Sequence, residues 1–232
     1  MPLTQADFDA VLLTLKLASL TTVLLLLIGT PIAWWLARTG SWLKQPIGAI
    51  VALPLVLPPV VTGWLLLLLF GMNGPIGRWL SDVFGITLLF RWTGAALAAA
   101  IMALPLMVRA MRLSIAAIDH RLEQAAQTLG ASAVRIFCTI SLPLALPGIF
   151  AGAMLGFARS IGEFGATITF VSDIPGETRT LPIAIYSALQ LPDSDHVVLR
   201  LALLSVALSF AALLLSEYLA RRAMAAGRSH DL

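Results

Sequence analysis

Five long stretches of this chain contain no charged residue: 17–37, 45–77, 92–108, 136–158 and 201–216. A helix of about 20 apolar residues matches the ~30 Å hydrocarbon layer of a bilayer, whereas in water its surface could not be covered by so short a protein. The composition agrees. Of the 232 residues 59% are hydrophobic, against 15 Lys and Arg and 12 Asp and Glu, an apolar share above that of ordinary soluble domains. At ~20 residues each, five spans take about half the chain, and the connections are too short to hold a separate soluble domain. The expected fold class is an all-α integral membrane protein with about five transmembrane helices, forming a single domain over residues 1–232.

Several partners and chemistries are excluded at this level. The net charge of +3 comes without any basic run able to track a phosphate backbone, so membrane lipid and not nucleic acid is the expected polyanionic neighbour. Cys138 is the single cysteine, and His120, His196 and His230 are too scattered for a ligand pattern, so no metal site and no cofactor in this chain are expected. No His-Glu-x-x-His, Gly-x-Ser-x-Gly or clustered Asp pattern occurs, which argues against an intramembrane enzyme and leaves no catalytic residue to name. Asp7 and Asp9 stand where a cleaved leader would be basic, so the first apolar run is read as an uncleaved span.

The spans are placed near 11–37, 47–72, 93–112, 144–170 and 197–219. With the N-terminus outside, the inner connections hold Arg38, Lys44, Arg109, Arg112, Arg121, Arg135, Arg221, Arg222 and Arg228. The outer ones hold only Arg78, Arg91, Arg179 and Arg200, with Lys16 and Arg159 inside spans. Cytoplasmic loops are the ones enriched in Lys and Arg, which predicts the N-terminus outside and the C-terminus cytoplasmic.

Two places within the spans are unusual. Residues 53–63 put Pro54, Pro58, Pro59 and Gly63 into an apolar stretch, and such a break survives at membrane depth only where protein or a watery cavity satisfies the freed carbonyls. Pro58, Pro59, Thr62 and Gly63 therefore belong either to a kinked packing helix or to the wall of a path. Arg159 and Glu163, four residues apart on one helix face, are ionisable groups in a span and call for a functional reading. Arg159 suits attraction of an anion. Glu163 would cancel much of that attraction, so a mutual, structural pair near an outer gate is favoured.

The most informative segment is 114–149. Asp119 is a candidate N-cap, Glu123 lies near the first turn, and Gly130 supplies a left-handed C-cap to a helix of about ten residues. Ser132 caps a second short helix, which is expected to stop near Pro143. Ala125 and Ala126 leave the first helix a smooth face suited to close approach of another surface. Between the last two spans, residues 172–195 mix Pro, Gly and charge with an apolar run at 181–191, as a segment that folds back on the membrane and meets a soluble partner, or a solvated connector.

Segment 114–149 resembles the coupling loop of ABC-importer permeases, in which Glu-Ala-Ala, a glycine six positions after the Glu and a later Ile-x-Leu-Pro recur. The matching residues are Gln124-Ala125-Ala126, Gly130-Ala131, Phe137 and Ile140-Ser141-Leu142-Pro143. Gln124 stands where the family usually has Glu, with Glu123 beside it, so an acidic contact to the ATPase is either kept by Glu123 or replaced by amide hydrogen bonds. Residues 10–220 more broadly resemble the molybdate-type permeases, close to the sulfate permeases. The supporting stretches are 53–63, 70–77, 103–106, 157–167 and 174–186.

The resemblance implies a MetI-like transmembrane domain in the bacterial cytoplasmic (inner) membrane. It further implies a homodimer with the path at its interface, two ABC ATPase subunits on the cytoplasmic side that bind ATP and Mg, and an external oxyanion-binding protein. Glu123, Gln124, Ala125, Ala126, Gly130, Ala131, Leu142 and Pro143 are the implied ATPase-coupling residues. The implied cargo is molybdate, with sulfate, thiosulfate and tungstate as alternatives. Independently, the chain has no Gly-x-x-x-x-Gly-Lys-[Ser/Thr] loop, so by that route it binds no ATP itself. An ATPase-facing loop also argues against a passive channel or ion-coupled carrier.

Overall fold

The computed structural model of the protein describes residues 3–228. His230 lies outside the described residues, as does the C-terminus whose side was assigned above. The described helices are α1 (Gln5–Arg38), α2 (Lys44–Val56), α3 (Pro59–Phe70), α4 (Pro75–Phe84), α5 (Trp92–Ala116), α6 (His120–Thr128), α7 (Ala133–Ile136), α8 (Leu142–Ile161), α9 (Gly165–Val171), α10 (Leu181–Leu189) and α11 (Asp195–Arg228). A π turn, Phe137–Ser141, joins α7 to α8. Four of these segments are long and apolar enough to cross a membrane, and α2 with α3 makes a fifth if the bent pair is one span.

That pair shows how prolines shape a span. A residue before proline is pushed out of the helical region, and here both Leu57 (ψ 140°) and Pro58 (ψ 136°) precede one and are extended. Pro59 then starts α3 at a position where its missing N–H costs nothing. The result is a 116° bend. The two halves pack at opposite ends of the bundle. On α2, Gly48 approaches Arg112 near the end of α5, whereas Leu66, Leu67 and Phe70 of α3 join the core cluster of Ala95, Trp92 and Leu88 at its start.

The centre of the molecule is α5, whose Ala95, Ala96, Ala98, Ala99 and Ala103 are all buried. Small side chains let helices close up where lipid supplies no hydrophobic drive between them. α8 answers with Gly148, Gly152 and Gly156 on one face, set directly against Ser114, Met111 and Met107 of α5. A Cβ at Gly152 would lie 2.8 Å from the Met111 side chain, so the four-residue glycine spacing fixes this antiparallel contact.

At the end where α5 begins, Asp7 anchors the start of α1. It closes a capping box with Thr4 and pairs with Arg200 of α11 at 2.9 Å. Segment 172–195 is a packed element and not a solvated connector: Thr178, Leu181 and Ile183 are fully buried, and the Leu181 N–H donates to Thr14 Oγ1 of α1 at 2.8 Å.

Two expectations are corrected. The helix opened by Ser132 does not stop near Pro143. The π turn moves each N–H one carbonyl further back and absorbs the donor that Pro143 lacks, so the helix runs on from Ala133 to Ile161. The fourth span accordingly begins earlier than 144 and ends at Ile161 instead of 170. Gly162, Glu163 and Phe164 break the chain before the short α9. α4 was not anticipated: the segment after Phe70 was read as plain connection.

Candidate functional site

The residues singled out in the sequence fall into two groups at different depths. The first is the α6–α7 hairpin. Asp119 caps α6 by accepting the Arg121 N–H at 2.9 Å. At the other end the Gly130 N–H bonds the Gln127 carbonyl and the Ala131 N–H reaches back to the Ala126 carbonyl at 3.1 Å. That pair of bonds is a Schellman closure and requires the left-handed residue that Gly130 provides, with φ +82°. Ser132 then caps α7 through the Arg135 N–H.

Glu123 does not face outward. Arg38, at the end of α1, grips it with two donors: Nη2 to Oε1 at 2.9 Å and Nη1 to Oε2 at 3.1 Å. The Ser141 hydroxyl of the π turn donates to Oε1 at 2.6 Å, and His120 Nδ1 lies 3.4 Å from Oε2. Both members of the ion pair are largely buried, at 14% and 19% side-chain exposure. Trp34 and Phe137 stack edge to face beside it, centroids 4.9 Å apart. One carboxylate thus ties α6 to the end of α1 and to the start of the fourth span.

Gln124 and Ala125 are exposed, and Ala126 and Ala131 are half-buried. Around them Leu122 and Leu129 are 49% and 88% exposed, an apolar face that none of the described residues covers. Leu142 packs on the core cluster of Met111 and Ile115, while Pro143 stays exposed in the first turn of α8. Arg38 and Ser141 were missed as site residues. Arg38 was weighed only as a sign of orientation, and Ser141 occupies the variable place in Ile-x-Leu-Pro.

The second group lies where α3 begins and α8 ends. Gly63 sits so close to α9 that a Cβ would lie 2.6 Å from the Ala166 carbonyl oxygen, and Pro59 stands equally close to Gly165. Thr62 is buried, whereas Pro58 and Pro59 are exposed. Glu163 is 3% exposed. It pairs with Arg159 at 2.6 Å, and its Oε1 accepts the Ala166 N–H at 3.0 Å, capping α9. The expected Arg159–Glu163 contact is therefore made, although Glu163 stands beyond the helix that carries Arg159. The break unites Pro59, Gly63, Arg159 and Glu163, and leaves the residues of the α6–α7 hairpin at another level.

This geometry sets what a substitution should do. Arg159→Ala strands a buried carboxylate, at a cost of roughly 3–5 kcal/mol, and should lower the yield of folded protein in size-exclusion profiles. Exchanging the two residues should restore folding only in part, because an arginine at position 163 re-forms the ion pair but cannot accept the Ala166 N–H. Normal folding of Arg159→Ala would instead leave Arg159 free for the other expected role, attraction of an anion.

Beyond the break, Asp173 accepts two bonds from Arg179, at 2.7 and 2.9 Å, and one from Ser187. Burial pushes its carboxyl up, but these donors and the guanidinium charge outweigh that and hold it below the ordinary 3.8. Its stabilising effect is complete above that value and is lost only as pH falls through the lowered one.

Residues 29–224 match the family of binding-protein-dependent transport system inner membrane components. The molybdenum transport system permease protein ModB of Escherichia coli K12 is 54% identical over 221 residues, covering 95% of this chain and 96% of that protein. ModB of Azotobacter vinelandii is 48% identical over 198 residues, covering 85% and 84%. Among solved structures, an inward-facing MetNI methionine ABC transporter superposes with a TM-score of 0.73 over 92% of this chain and 94% of that one, at 18% identity, a likeness of fold.

Proposed function

We infer that this chain, which belongs to the family of binding-protein-dependent transport system inner membrane components, is the permease of a molybdate ABC importer. It is a multi-pass inner-membrane protein with a transport role and no catalytic one, working with an ATPase and a periplasmic binding protein. The observation that carries the molybdate assignment is the identity with molybdenum permeases along nearly the whole chain.

Residues 1–232 act as one permease domain. It pairs with a second copy to enclose the path and rests on two ATPase subunits, which bind ATP and Mg. Segment 114–149 is the coupling element. Its outward Gln124, Ala125, Leu122 and Leu129 suit an ATPase cleft, and the Glu123–Arg38–Ser141 cluster transmits displacement of α6 to α1 and α8. Ala126, Gly130, Ala131, Leu142 and Pro143 shape that element without supplying charge. An acidic contact to the ATPase is accordingly replaced here by the Gln124 amide.

Pro58, Pro59, Thr62, Gly63, Arg159 and Glu163 form the path wall or gate. Broken helices place a helix N-terminus at membrane depth, where its partial positive charge suits an anion. The buried Arg159–Glu163 pair is close to neutral there, which favours passage over retention of a dianion. Alternating access then requires α3 and α9, in contact at Gly63, to move together.

The family reading is tested by pulling down the tagged permease: an ATPase subunit should accompany it, and hydrolysis should rise when molybdate-loaded binding protein is added. A permease that transports without nucleotide contradicts it. Orientation has its own test in Cys138, the single cysteine, which is exposed. An impermeant maleimide should leave intact cells unlabelled at Cys138 and label inside-out vesicles of the permease stripped of ATPase.

A further inference from the structure

Between α2 and α5 lies a cavity of about 250 Å³ that the transport steps above leave unused. One end is basic. Arg109 and Arg112 line it, with Arg112 Nη1 3.9 Å from where a Cβ on Gly48 would sit. Among the described residues, neither guanidinium has a carboxylate within ion-pair range. α2 starts beside them with Lys44 and has neither an acidic first turn nor a side-chain cap, so its dipole adds to the same positive field. The rest of the wall is apolar: Val51 and Leu55 from α2, Pro105 and Val108 from α5.

Charge and hydrocarbon are ordered along the helices. Arg112 and Arg109 precede the end of α5 at Ala116 by about 6 and 10 Å at a rise of 1.5 Å per residue. Val108 and Pro105 follow toward its middle. On α2 the order is the same, from Lys44 and Gly48 to Val51 and Leu55. A polar end at the surface and an apolar wall leading inward is the polarity of a lipid molecule. A free dianion would use the guanidinium pair but gain nothing from the wall. The cavity is also below the roughly 300 Å³ at which drug-sized ligand sites begin, so it suits a headgroup and the top of its chains.

We propose that Arg109 and Arg112, with the first turn of α2, bind the phosphate of an anionic phospholipid whose chains begin against Val51 and Leu55. Basic pockets between transmembrane helices recognise such headgroups, and the planar guanidinium fork fits phosphate oxygens in pairs. The bound lipid braces the first half of the broken span against the helix that leads into α6.

The test uses the full-length permease with its ATPase in nanodiscs of phosphatidylcholine, with and without phosphatidylglycerol. Lipid retained on the protein is read by native mass spectrometry and stability by melting temperature. Phosphatidylglycerol should be retained and should raise the melting temperature. The double variant Arg109→Gln/Arg112→Gln should bind it roughly 30-fold more weakly, the loss of two basic side chains near an anionic surface, and lose the thermal gain. If that variant does not fold, Val51→Trp fills the apolar end and leaves both charges; lost retention supports the site and unchanged retention overturns it. Equal behaviour of wild type and folded double variant overturns it as well. Arginine-dependent protection by molybdate or phosphate in pure phosphatidylcholine, with none from phosphatidylglycerol, gives the site to a free oxyanion and refutes the lipid.

Discussion

Gly130→Val is expected to abolish ATP-linked uptake while leaving the permease inserted and paired. The position has φ +82°, and a Cβ there would meet nothing within 4 Å. The penalty is thus purely conformational, roughly 1–2 kcal/mol for an L-residue forced into the left-handed region, and larger for a β-branched one. The chain can relieve it only by giving up the bonds from Gly130 and Ala131 back to Gln127 and Ala126, which lets α6 run on or fray. Either outcome turns Gln124, Ala125 and Leu129 away from the ATPase contact proposed for them. The spans are untouched because α5 and α8 meet through Gly148, Gly152 and Gly156, away from the turn. Pull-down of the ATPase and uptake in proteoliposomes read the result. Wild-type coupling in Gly130→Val would remove this segment from its assigned role.

Glu123→Ala should be the second severe variant, and for a different reason. It leaves the Arg38 guanidinium largely buried without its carboxylate and the Ser141 hydroxyl without its acceptor. Breaking such a charge-assisted cluster costs roughly 2–4 kcal/mol, enough to undock α6 from α1 and the π turn while the bundle stays folded. Hydrogen exchange should rise across 117–141 and remain slow in α5. Arg38→Ala should produce a similar loss, and the double variant little more than either alone, because both substitutions break one interaction. Gln124→Glu, by contrast, alters an exposed side chain outside the cluster and should be mild. Additive effects of Glu123→Ala and Arg38→Ala would show that the two do not act together.

Much of this architecture was readable in the chain. The uncharged runs located the spans because bilayer thickness and helix rise leave little freedom, and the caps at Asp119, Gly130 and Ser132 were correct because each is set by local backbone chemistry. The break at Pro58 and Pro59 was visible for the same reason. Elements that depend on distant partners were less legible. The glycine stripe of α8 has a recognisable four-residue spacing, yet its match to Ser114, Met111 and Met107 exists only in the folded bundle. Pro143 looked like a terminator because a single proline in an α-helix is one, and the π turn that accommodates it leaves no local mark. Glu123 could not be placed from its neighbours, since the residue that claims it, Arg38, is distant in sequence. For the residues proposed to line the path, Gly63 against Ala166 is a tertiary contact that proline spacing alone does not reveal.

The claim that this permease carries molybdate for an ATP-driven importer is tested most directly by uptake. The permease, its ATPase and its binding protein are reconstituted in proteoliposomes, and accumulation of labelled molybdate is followed against excess unlabelled molybdate, sulfate and thiosulfate. Uptake should require ATP and loaded binding protein, and should be displaced by molybdate far more effectively than by sulfate or thiosulfate. Accumulation without ATP, or preferential displacement by sulfate, would contradict the account.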